Sequence, residues 1–319
     1  MIKKIRKKIS SLRAILAARH RFLSANRISG SGVTIIEGGT FLHILLNLIT
    51  TRHIQPVRLA FWTRTRLQME MSKWVRGRLI QSRNEEIFVG DRFKLIIPRE
   101  FHNSTEIVIN DLREVFCENV YSRYLPFSSL VCEGDTVLDC GANIGSFSVW
   151  AATRGKDIRV ISMEPDWEIG CALRRNIEFN GIADRVHVEQ ACVSNQPGEV
   201  TLLKDLACFT MTRMATNTSA PSSTDSVSVV PVETIDQMVA RLKLDRVDLI
   251  KMDVEGAERL ALRGAAETIR RFRPRLTISA YHLHDDIYVL AELIRNLCPS
   301  YDLVVTNNLY IYASTDRSQ

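Results

Sequence analysis

The chain has 319 residues, of which 45% are apolar and 24% are charged, and its net charge is +6. The length allows one large α/β domain with an appendage, and the composition excludes a low-complexity chain. Seven scattered cysteines form no CxxC pair, which argues against a zinc ribbon or a disulfide framework and leaves reduced thiols as the simplest account.

Residues 1–83 are predicted to form a basic, largely helical N-terminal extension, interrupted by a glycine-containing loop at residues 29–40. They contain 17 of the 42 Lys/Arg residues and two of the 36 Asp/Glu residues, a net charge of +15, whereas the rest of the chain carries −9. Over residues 1–23, basic clusters alternate with Ile, Leu and Phe, which is typical of an amphipathic helix on an anionic membrane; a solvated basic tail is an equal alternative. The apolar run at residues 41–49 is shorter than the roughly 20 residues that a spanning helix needs. We therefore expect a cytoplasmic protein without a transmembrane segment, whose extension either contacts the inner membrane face or stays solvated.

A hairpin and a helix are predicted between residues 84 and 135. Apolar and polar residues alternate on both sides of Gly90–Asp91, which is typical of two short antiparallel strands. Residues 104–121 carry apolar side chains at helical spacing after Ser104, a preferred N-cap residue.

From residue 136 onward, short apolar runs alternate with helical stretches. The predicted strands cover residues 136–140, 159–164, 185–193, 247–253 and 275–281, and the predicted helices cover residues 145–154, 168–180 and 256–270. This alternation predicts a doubly wound, mostly parallel sheet with helices on both faces, and such sheets bind ligands at the carboxyl ends of their strands. Two further strand-like runs lie within residues 199–231, and Asn307–Asn308 separates the two strands of a terminal antiparallel hairpin.

The stretch VLDCGANIGSF, residues 137–147, places Asp139 near the end of the first strand and Gly141 and Gly145 in the turn that follows. Glycine lets the backbone approach a ligand closely, and the helix that begins near Ser146 offers unpaired N–H groups. The spacing is G-x-x-x-G, whereas a dinucleotide-binding turn prefers G-x-G-x-x-G, and the leading acid would repel a diphosphate. The stretch therefore favours S-adenosylmethionine (SAM), which has an ammonium group and a ribose but no phosphate.

Glu164 ends the second predicted strand, 25 residues after Asp139. An acid at this position can accept hydrogen bonds from both hydroxyls of a ribose. A solvent-exposed acid that caps the next helix is the structural alternative, but Asp166 already suits that role. We therefore predict that Glu164 is a ribose ligand.

Acidic residues also follow the fourth strand, in LIKMDVEGAE, and a histidine follows the fifth, in ISAYHLHDD. Asp253 ends an apolar strand where cofactor and substrate would meet, whereas helix capping is an alternative role for Glu255 and Glu258. His282 would face the same cleft and has the pKa range of a general base that Asp253 or Glu255 could assist; a structural histidine is equally compatible with the sequence. We predict His282, Asp253 and Glu255 as catalytic residues. Together with His284 they show no spacing that demands a metal, so no metal site is predicted.

Five segments together resemble the FkbM family of SAM-dependent methyltransferases. They are VLDCGANIGSFS, the MEP at residues 163–165, LRRNIEFNG, IKMDVEGAE and AYHLHDD, and the similarity covers residues 110–315. The resemblance implies a class I methyltransferase domain at residues 84–319, with a seven-stranded Rossmann-like core at residues 136–319. It also implies transfer of a methyl group from SAM to a hydroxyl, typically that of a sugar in glycan or natural-product biosynthesis.

The resemblance assigns six residues to the cofactor. By motif position these are Asp139, Gly141, Asn143 and Gly145 for the methionine part of SAM, Glu164 for the ribose, and Ser194 toward the adenine. An acidic residue is common in the family beside the position of Ser194 and is absent here. The N-terminal extension lies outside the family pattern.

Other functions fit the sequence less well than this resemblance. A nucleic-acid methyltransferase would explain the basic extension, but DVEG stands where amino-methylating enzymes have N/D-P-P-Y/F, and Cys298–Pro299 reverses the Pro-Cys of cytosine-C5 enzymes. A protein methyltransferase and a non-catalytic SAM-binding scaffold remain alternatives, although a scaffold would tolerate damage to a cofactor pattern that is intact here. An NAD-dependent oxidoreductase does not fit the glycine spacing. We expect a hydroxyl-bearing small molecule or glycan as acceptor, and no nucleic-acid partner.

Overall fold

The computed structural model describes residues 33–35, 78–81, 85–89, 92–98, 130–205, 212–214, 225–305 and 310–315. The strands in these residues, numbered along the chain, are β1 (Val33–Ile35), β2 (Arg78–Gln81), β3 (Glu85–Val89), β4 (Lys94–Pro98), β5 (Thr136–Cys140), β6 (Arg159–Met163), β7 (Val186–Glu189), β8 (Cys192–Val193), β9 (Gly198–Asp205), β10 (Thr212–Met214), β11 (Asp225–Glu233), β12 (Leu249–Met252), β13 (Arg275–Ser279), β14 (Asp302–Val305) and β15 (Tyr310–Ser314). The helices are α1 (Ser146–Ala152), α2 (Trp167–Phe179), α3 (Ile235–Arg241), α4 (Glu258–Arg263), α5 (Ala266–Phe272) and α6 (Asp286–Leu297). Within the described ranges, none of these helices has the length and apolar character needed to cross a membrane.

The largest sheet has eight strands in the order β1-β14-β15-β13-β12-β5-β6-β7. The five strands from β13 to β7 in this order are parallel, and β15 runs antiparallel between β13 and β14. The chain runs outward from β5 to β7 on one side of the sheet and later returns to β12 on the other side of β5. Doubly wound sheets bind their ligands at the carboxyl ends of the strands where the order reverses in this way. The predicted doubly wound α/β fold is therefore confirmed.

Seven strands of this sheet form the predicted core, including the terminal hairpin of β14 and β15. The eighth strand, β1, is parallel to β14 and lies in residues 29–40, where the sequence analysis predicted a loop, so that prediction is wrong for these residues. Its sequence, VTI, consists of three β-branched residues, which favour strands. Strand β2 likewise lies in the extension that was predicted to be largely helical. The rest of that extension and the predicted helix at residues 104–121 lie outside the described residues.

Two smaller sheets, β10-β9-β11-β8 and β2-β3-β4, accompany the main sheet. Strands β3 and β4 form the hairpin predicted around Gly90–Asp91. The buried Asn176 on α2 exchanges two hydrogen bonds with the backbone of Ile96, at 2.6 and 3.1 Å, and also donates to the Ile144 carbonyl at 2.9 Å. Helix α2 therefore joins this hairpin to the turn that precedes α1.

Apolar side chains cover both faces of the main sheet. On one face, α1 and α2 contribute Trp150 and Leu173 to a cluster that also includes Phe88 of the hairpin. On the other face, the helices from α3 to α6 contribute a second cluster, with Ile269 and Leu290 among its fully buried members. Burial on both faces explains why the parallel strands are nearly continuous apolar runs in the sequence.

Two predicted elements are divided in the structure. Residues 185–193 form β7 of the main sheet and β8 of a smaller one, and residues 256–270 form α4 and most of α5. At the break between the helices, a Cβ on Gly264 would lie 2.0 Å from the carbonyl oxygen of Ser194. This close backbone approach requires glycine at the break.

Candidate active site

The turn between β5 and α1, which we call the glycine loop (Gly141–Gly145), uses all five of its backbone N–H groups inside the protein. Three of them donate to backbone carbonyls at 2.9–3.0 Å. The other two belong to Asn143 and Ile144 and donate to side-chain oxygens of Glu164 and Asn143, at 2.9 and 2.7 Å. A phosphate-binding loop presents such N–H groups to its ligand. In this conformation the glycine loop is therefore not a phosphate cradle, in agreement with its G-x-x-x-G spacing.

Both glycines of the loop are required by contacts inside the protein. A Cβ on Gly141 would lie 1.9 Å from the carbonyl oxygen of Asp253, and one on Gly145 would lie 2.5 Å from the Leu173 side chain. Both glycines also have positive φ angles, +78° and +92°, which other residues adopt only with strain. The close approach of the Asp253 backbone and of α2 accounts for both glycines. Their predicted contact with the methionine part of SAM stays a prediction.

Asp139 lies next to the glycine loop and is completely buried. Its Oδ2 accepts a hydrogen bond from the Ser148 hydroxyl at 2.6 Å, and its Oδ1 lies 3.1 Å from Lys251 Nζ. Lys251 Nζ also donates to the Gly141 carbonyl at 2.8 Å. These contacts connect β5, α1 and β12 and thereby support the loop. The predicted contact of Asp139 with a ligand ammonium group stays a prediction.

Glu164 follows β6 and is 6% exposed. Its two carboxylate oxygens accept hydrogen bonds from the N–H groups of Asn143 and Asp166, each at 2.9 Å. Burial raises the pKa of Glu164 to about 7, although the two N–H donors oppose this effect. A carboxylate oxygen can accept more than one hydrogen bond, so Glu164 can bind a diol while it holds the glycine loop. The capping role that the sequence assigns to Asp166 is confirmed, since its side chain accepts from the N–H of Ile169.

Ser194 follows β8 in the smaller sheet. Its N–H donates to the Glu233 carbonyl at 3.2 Å, and its own carbonyl oxygen packs against Gly264. These contacts lead to the break between α4 and α5 and not to the glycine loop. The predicted place of Ser194 beside an adenine stays a prediction.

The ends of β12 and β13 bring together four ionisable side chains, which we call the acidic cluster (Asp253, Glu255, Glu258 and His282). His282 Nε2 lies 3.5 Å from both Asp253 Oδ1 and Glu255 Oε2, and its Nδ1 lies 3.0 Å from Glu258 Oε1. The Glu258 side chain is 1% exposed, whereas that of Glu255 is 36% exposed. The structure thus brings the three predicted catalytic residues together and adds Glu258 to them.

The carboxylates of the cluster change the protonation state of His282. Burial alone would lower its pKa, but Glu255, Glu258 and Asp253 outweigh burial and raise the pKa of His282 to about 11. At neutral pH the ring is an imidazolium, which has no free lone pair and cannot accept a proton from an alcohol. With a charged ring, proton acceptance would fall to Asp253 or Glu255, and the catalytic role of His282 stays a prediction.

Two further contacts orient the cluster. The Tyr281 hydroxyl donates to the Asp253 carboxylate, 3.1 and 3.0 Å from its two oxygens, and Glu258 Oε1 accepts from the N–H of Val254 at 2.8 Å. The sequence analysis did not predict a role for Tyr281, and it interpreted Glu258 as a residue of a helix N-terminus. Only the adjacency of Tyr281 to His282 and the nearness of Glu258 to Asp253 in sequence pointed to these contacts.

The loop that carries His282 is fastened to α4 by charged pairs. Arg259 on α4 donates through Nε to Asp286 at 2.7 Å and through Nη2 to Asp285 at 2.5 Å. Asp286 also accepts from the N–H of Leu283 at 2.7 Å. These bonds fix the position of His282 relative to Glu258.

The acidic cluster and the glycine loop are in direct contact. The N–H of Asp253 donates to the Cys140 carbonyl at 3.0 Å, and the Asp253 carbonyl occupies the space that a side chain on Gly141 would need. A group bound at Glu164 and a group bound at the acidic cluster would therefore both lie at the reversal between β5 and β12. This geometry suits the transfer of a small group between two bound molecules.

The order of the seven strands from β14 to β7, with β15 antiparallel to both neighbours, defines the class I methyltransferase fold. The chain belongs to the FkbM methyltransferase family, since the domain described as "Methyltransferase FkbM domain" matches residues 139–305, slightly more than half of the chain. These residues therefore form a methyltransferase domain of the FkbM type.

Two curated proteins are among the relatives. The chain is 26% identical over 232 residues to the 31-O-demethyl-FK506 methyltransferase FkbM of Streptomyces tacrolimicus, covering 65% of this chain and 86% of the relative. It is 28% identical over 193 residues to the AMB antimetabolite synthetase AmbE of Pseudomonas aeruginosa, covering 51% of this chain but only 9% of that much longer protein.

Solved structures are also similar to the chain. A methyltransferase FkbM from Methylobacillus flagellatus KT shares 23% identity with a TM-score of 0.44, and the match covers 67% of this chain and 54% of the other. Aeropyrum pernix fibrillarin, solved with natively bound S-adenosyl-L-methionine, shares 11% identity with a TM-score of 0.40, and the match covers 75% of this chain and 82% of the other.

Proposed function

We propose that the protein transfers a methyl group from SAM to a hydroxyl group, and that the acceptor is a sugar in glycan or natural-product biosynthesis. The observation that carries the proposal is the direct contact between the glycine loop, which has no N–H to offer a phosphate, and the acidic cluster. A hydroxyl acceptor is also supported by the name of the Streptomyces relative, whose substrate is 31-O-demethyl-FK506.

The residues around the glycine loop fit SAM. Glu164 holds the loop through Asn143 and keeps acceptor capacity on both oxygens for the two ribose hydroxyls. Asp139 and Lys251 fix the loop from the side of β12, so the backbone is organised before the cofactor arrives. When bound, SAM supplies a methyl group on a positively charged sulfur.

The acidic cluster provides the chemistry that an alcohol requires. As the hydroxyl oxygen forms its bond to the methyl carbon, its proton must leave, and a nearby carboxylate can accept it. Glu255 is the most exposed of the three carboxylates, and Asp253 is oriented by Tyr281. General-base catalysis of this kind typically contributes about 10²–10⁴ in rate, and alignment of the two bound molecules contributes further.

The test is a methyl-transfer assay with the full chain, methyl-labelled SAM and a panel of nucleotide sugars and glycans. We expect label on oxygen in at least one acceptor, together with stoichiometric release of S-adenosylhomocysteine. Label on nitrogen or carbon would contradict the hydroxyl acceptor. SAM binding without transfer to any member of a broad panel would favour a scaffold.

We also propose that the basic extension binds anionic membranes. Residues 1–83 carry +15 against −9 for the rest of the chain, and each Lys or Arg near an anionic surface contributes about 1 kcal/mol. The test is flotation of the full chain with neutral and anionic vesicles, in parallel with a variant in which Lys3, Lys4, Lys7 and Lys8 are changed to Glu. Flotation of the native chain alone, and only with anionic vesicles, is expected. Equal flotation of both chains would assign the binding to other residues, and no flotation of either chain would support the solvated tail.

A further inference from the structure

Three side chains of metal-ligand type converge where β12 and β13 end. One ligand atom each from Asp253, Glu258 and His282 lies within 4.8 Å of the other two. The ligand atoms of a six-coordinate divalent ion with bonds of about 2.1–2.2 Å lie up to roughly 4.3 Å apart. Small side-chain rotations would therefore bring the three ligand atoms within bonding distance of one ion. The sequence analysis predicted no metal because these residues have no characteristic spacing; the fold brings them together.

The charge around these side chains is unbalanced. Lys251 lies 3.1 Å from Asp139, and Arg259 is bonded to the two aspartates of the loop after β13. Even if the His282 ring is charged, the acidic residues joined by these ion pairs outnumber the basic ones by six to three. The carboxylates are those of Asp139, Asp253, Glu255, Glu258, Asp285 and Asp286, and the cations are those of Lys251, Arg259 and His282. Partly buried negative charge without a partner is unfavourable, and a divalent cation would neutralise it.

The hydrogen bonding of His282 is a second observation at this place. Its side chain is only 11% exposed, and both ring nitrogens are inaccessible to solvent. Although carboxylate oxygens lie 3.0–3.5 Å away, neither nitrogen makes an aligned hydrogen bond with any group in the described part of the chain. The ring thus lies among the three carboxylates without a fixed hydrogen bond to any of them, an arrangement that suits ligands of a shared cation.

The carboxylates are oriented in the way that metal ligands usually are. Asp253 accepts from the Tyr281 hydroxyl, and Glu258 accepts from the N–H of Val254. Hydrogen bonds of this kind hold ligands in place before the metal binds and are a regular feature of metal sites.

We propose that Asp253, Glu258 and His282 bind a divalent cation. Only the neutral imidazole has a lone pair for a metal, so the cation displaces the proton of the His282 ring into solvent. Two carboxylates and one imidazole suit Mn²⁺ or a similar first-row ion better than Ca²⁺, which prefers oxygen ligands alone. Binding itself does not depend on the proposed methyl transfer, whereas its role rests on that function. The cation would hold the acceptor hydroxyl and increase its acidity, and the proton would pass to the Glu255 carboxylate, which is not among the three ligands.

The test is a titration of the metal-free full chain with Mn²⁺, followed by electron paramagnetic resonance, without SAM or acceptor. The variants are Asp253→Asn, Glu258→Gln and His282→Asn, and the matched controls are Asp245→Asn, Glu178→Gln and His187→Asn. We expect one saturable Mn²⁺ site in the native chain and the controls, weakened at least about tenfold in each of the three variants. Titration of every variant with SAM checks that it is folded.

Absence of saturable Mn²⁺ binding in the native chain would overturn the proposal, as would equal binding by a folded variant and the native chain. If Mn²⁺ binds but methyl transfer by the SAM-bound enzyme is unchanged in EDTA, the role in acceptor activation is overturned. If SAM does not bind while Mn²⁺ does, the proposed function fails and the metal site stands.

Discussion

The glycine loop and the acidic cluster lie at the ends of neighbouring strands, β5 and β12, but they are built in opposite ways. In the glycine loop all five backbone N–H groups have partners inside the protein, and its neighbours Asp139 and Glu164 are both engaged. In the acidic cluster three carboxylates surround one buried imidazole, whose nitrogens have no aligned partner in the described part of the chain.

This difference separates the two tasks of a methyltransferase. A loop whose N–H groups are all hydrogen-bonded inside the protein can hold its cofactor without rearrangement. Its residues therefore contribute to cofactor binding and to the stability of the fold. Unbalanced charge lowers stability, so the residues of the acidic cluster are better explained by the chemistry of the acceptor. Substitutions should therefore affect cofactor affinity and folding at the glycine loop, and turnover at the acidic cluster.

The largest effect is expected from Asp253→Asn. The substitution keeps the shape of the side chain but removes a carboxylate that faces the acceptor, so kcat should fall by about 10²–10⁴. SAM affinity should change by less than about threefold because the backbone contact of Asp253 with Cys140 is retained. Kinetics with labelled SAM and calorimetry measure the two effects, and Asp245→Asn, on an exposed residue, is the control. A loss of SAM affinity equal to the loss of turnover would contradict the separation between cofactor binding at the glycine loop and chemistry at the acidic cluster.

The next effect concerns Gly141→Ala, compared with Gly134→Ala. Both glycines have similar positive φ angles, +78° and +76°, but a Cβ would meet the Asp253 carbonyl at 1.9 Å in the first case and nothing within 4 Å in the second. Chemical denaturation should show a loss of about 1 kcal/mol in the free energy of unfolding for Gly134→Ala and about 3 kcal/mol or more for Gly141→Ala. Similar losses in the two variants would mean that the loop and β12 are not tightly packed.

Glu164→Gln should weaken SAM binding by about 10–100-fold. The amide keeps one acceptor oxygen but presents an NH₂ group to an N–H donor, so a charge-assisted hydrogen bond to Asn143 or Asp166 is lost together with a contact to the ribose. Calorimetry measures the affinity, and Glu178→Gln on the exposed side of α2 is the matched control. Unchanged SAM affinity in Glu164→Gln would mean that Glu164 does not bind the ribose.

A smaller effect is expected from pH. Because burial raises the pKa of Glu164 to about 7, the free protein holds a proton on this carboxyl below pH 7. Ribose hydroxyls favour the ionised form, so SAM binding at low pH must release that proton and is weaker. The affinity should rise about tenfold from pH 6 to pH 8 and then level off. The rise should be absent in Glu164→Gln, and a rise of the same size in that variant would assign it to another group.

The features that the sequence predicted correctly are those that depend on short, local residue patterns. Strand β5 was placed correctly because the apolar run TVLDC is followed at once by glycine, and the spacing of Gly141 and Gly145 excluded a phosphate loop that the hydrogen bonds also exclude. The cap at Asp166 was predicted because an acid before an apolar helix is a local signal. The doubly wound, mostly parallel arrangement followed from the alternation of strands and helices, and the seven-stranded core followed from the resemblance.

What the sequence did not predict depends on residues far apart in the chain. Strand β1 pairs with β14 across almost the whole chain, and Lys251 lies beside Asp139 although 112 positions separate them. Glu258 looked like a residue of a helix N-terminus because its contact with His282 is formed only when β12 and β13 become neighbours. The hydrophobic periodicity within a segment carries no information about pairings between distant segments.

The most direct test of the account is calorimetric titration of the full chain with SAM and, separately, with NAD. The account predicts one SAM site that is weakened by Glu164→Gln, and no NAD binding, because the glycine loop has no free N–H group for a diphosphate. Saturable binding of NAD at this site, or no binding of SAM to the folded chain, would contradict it.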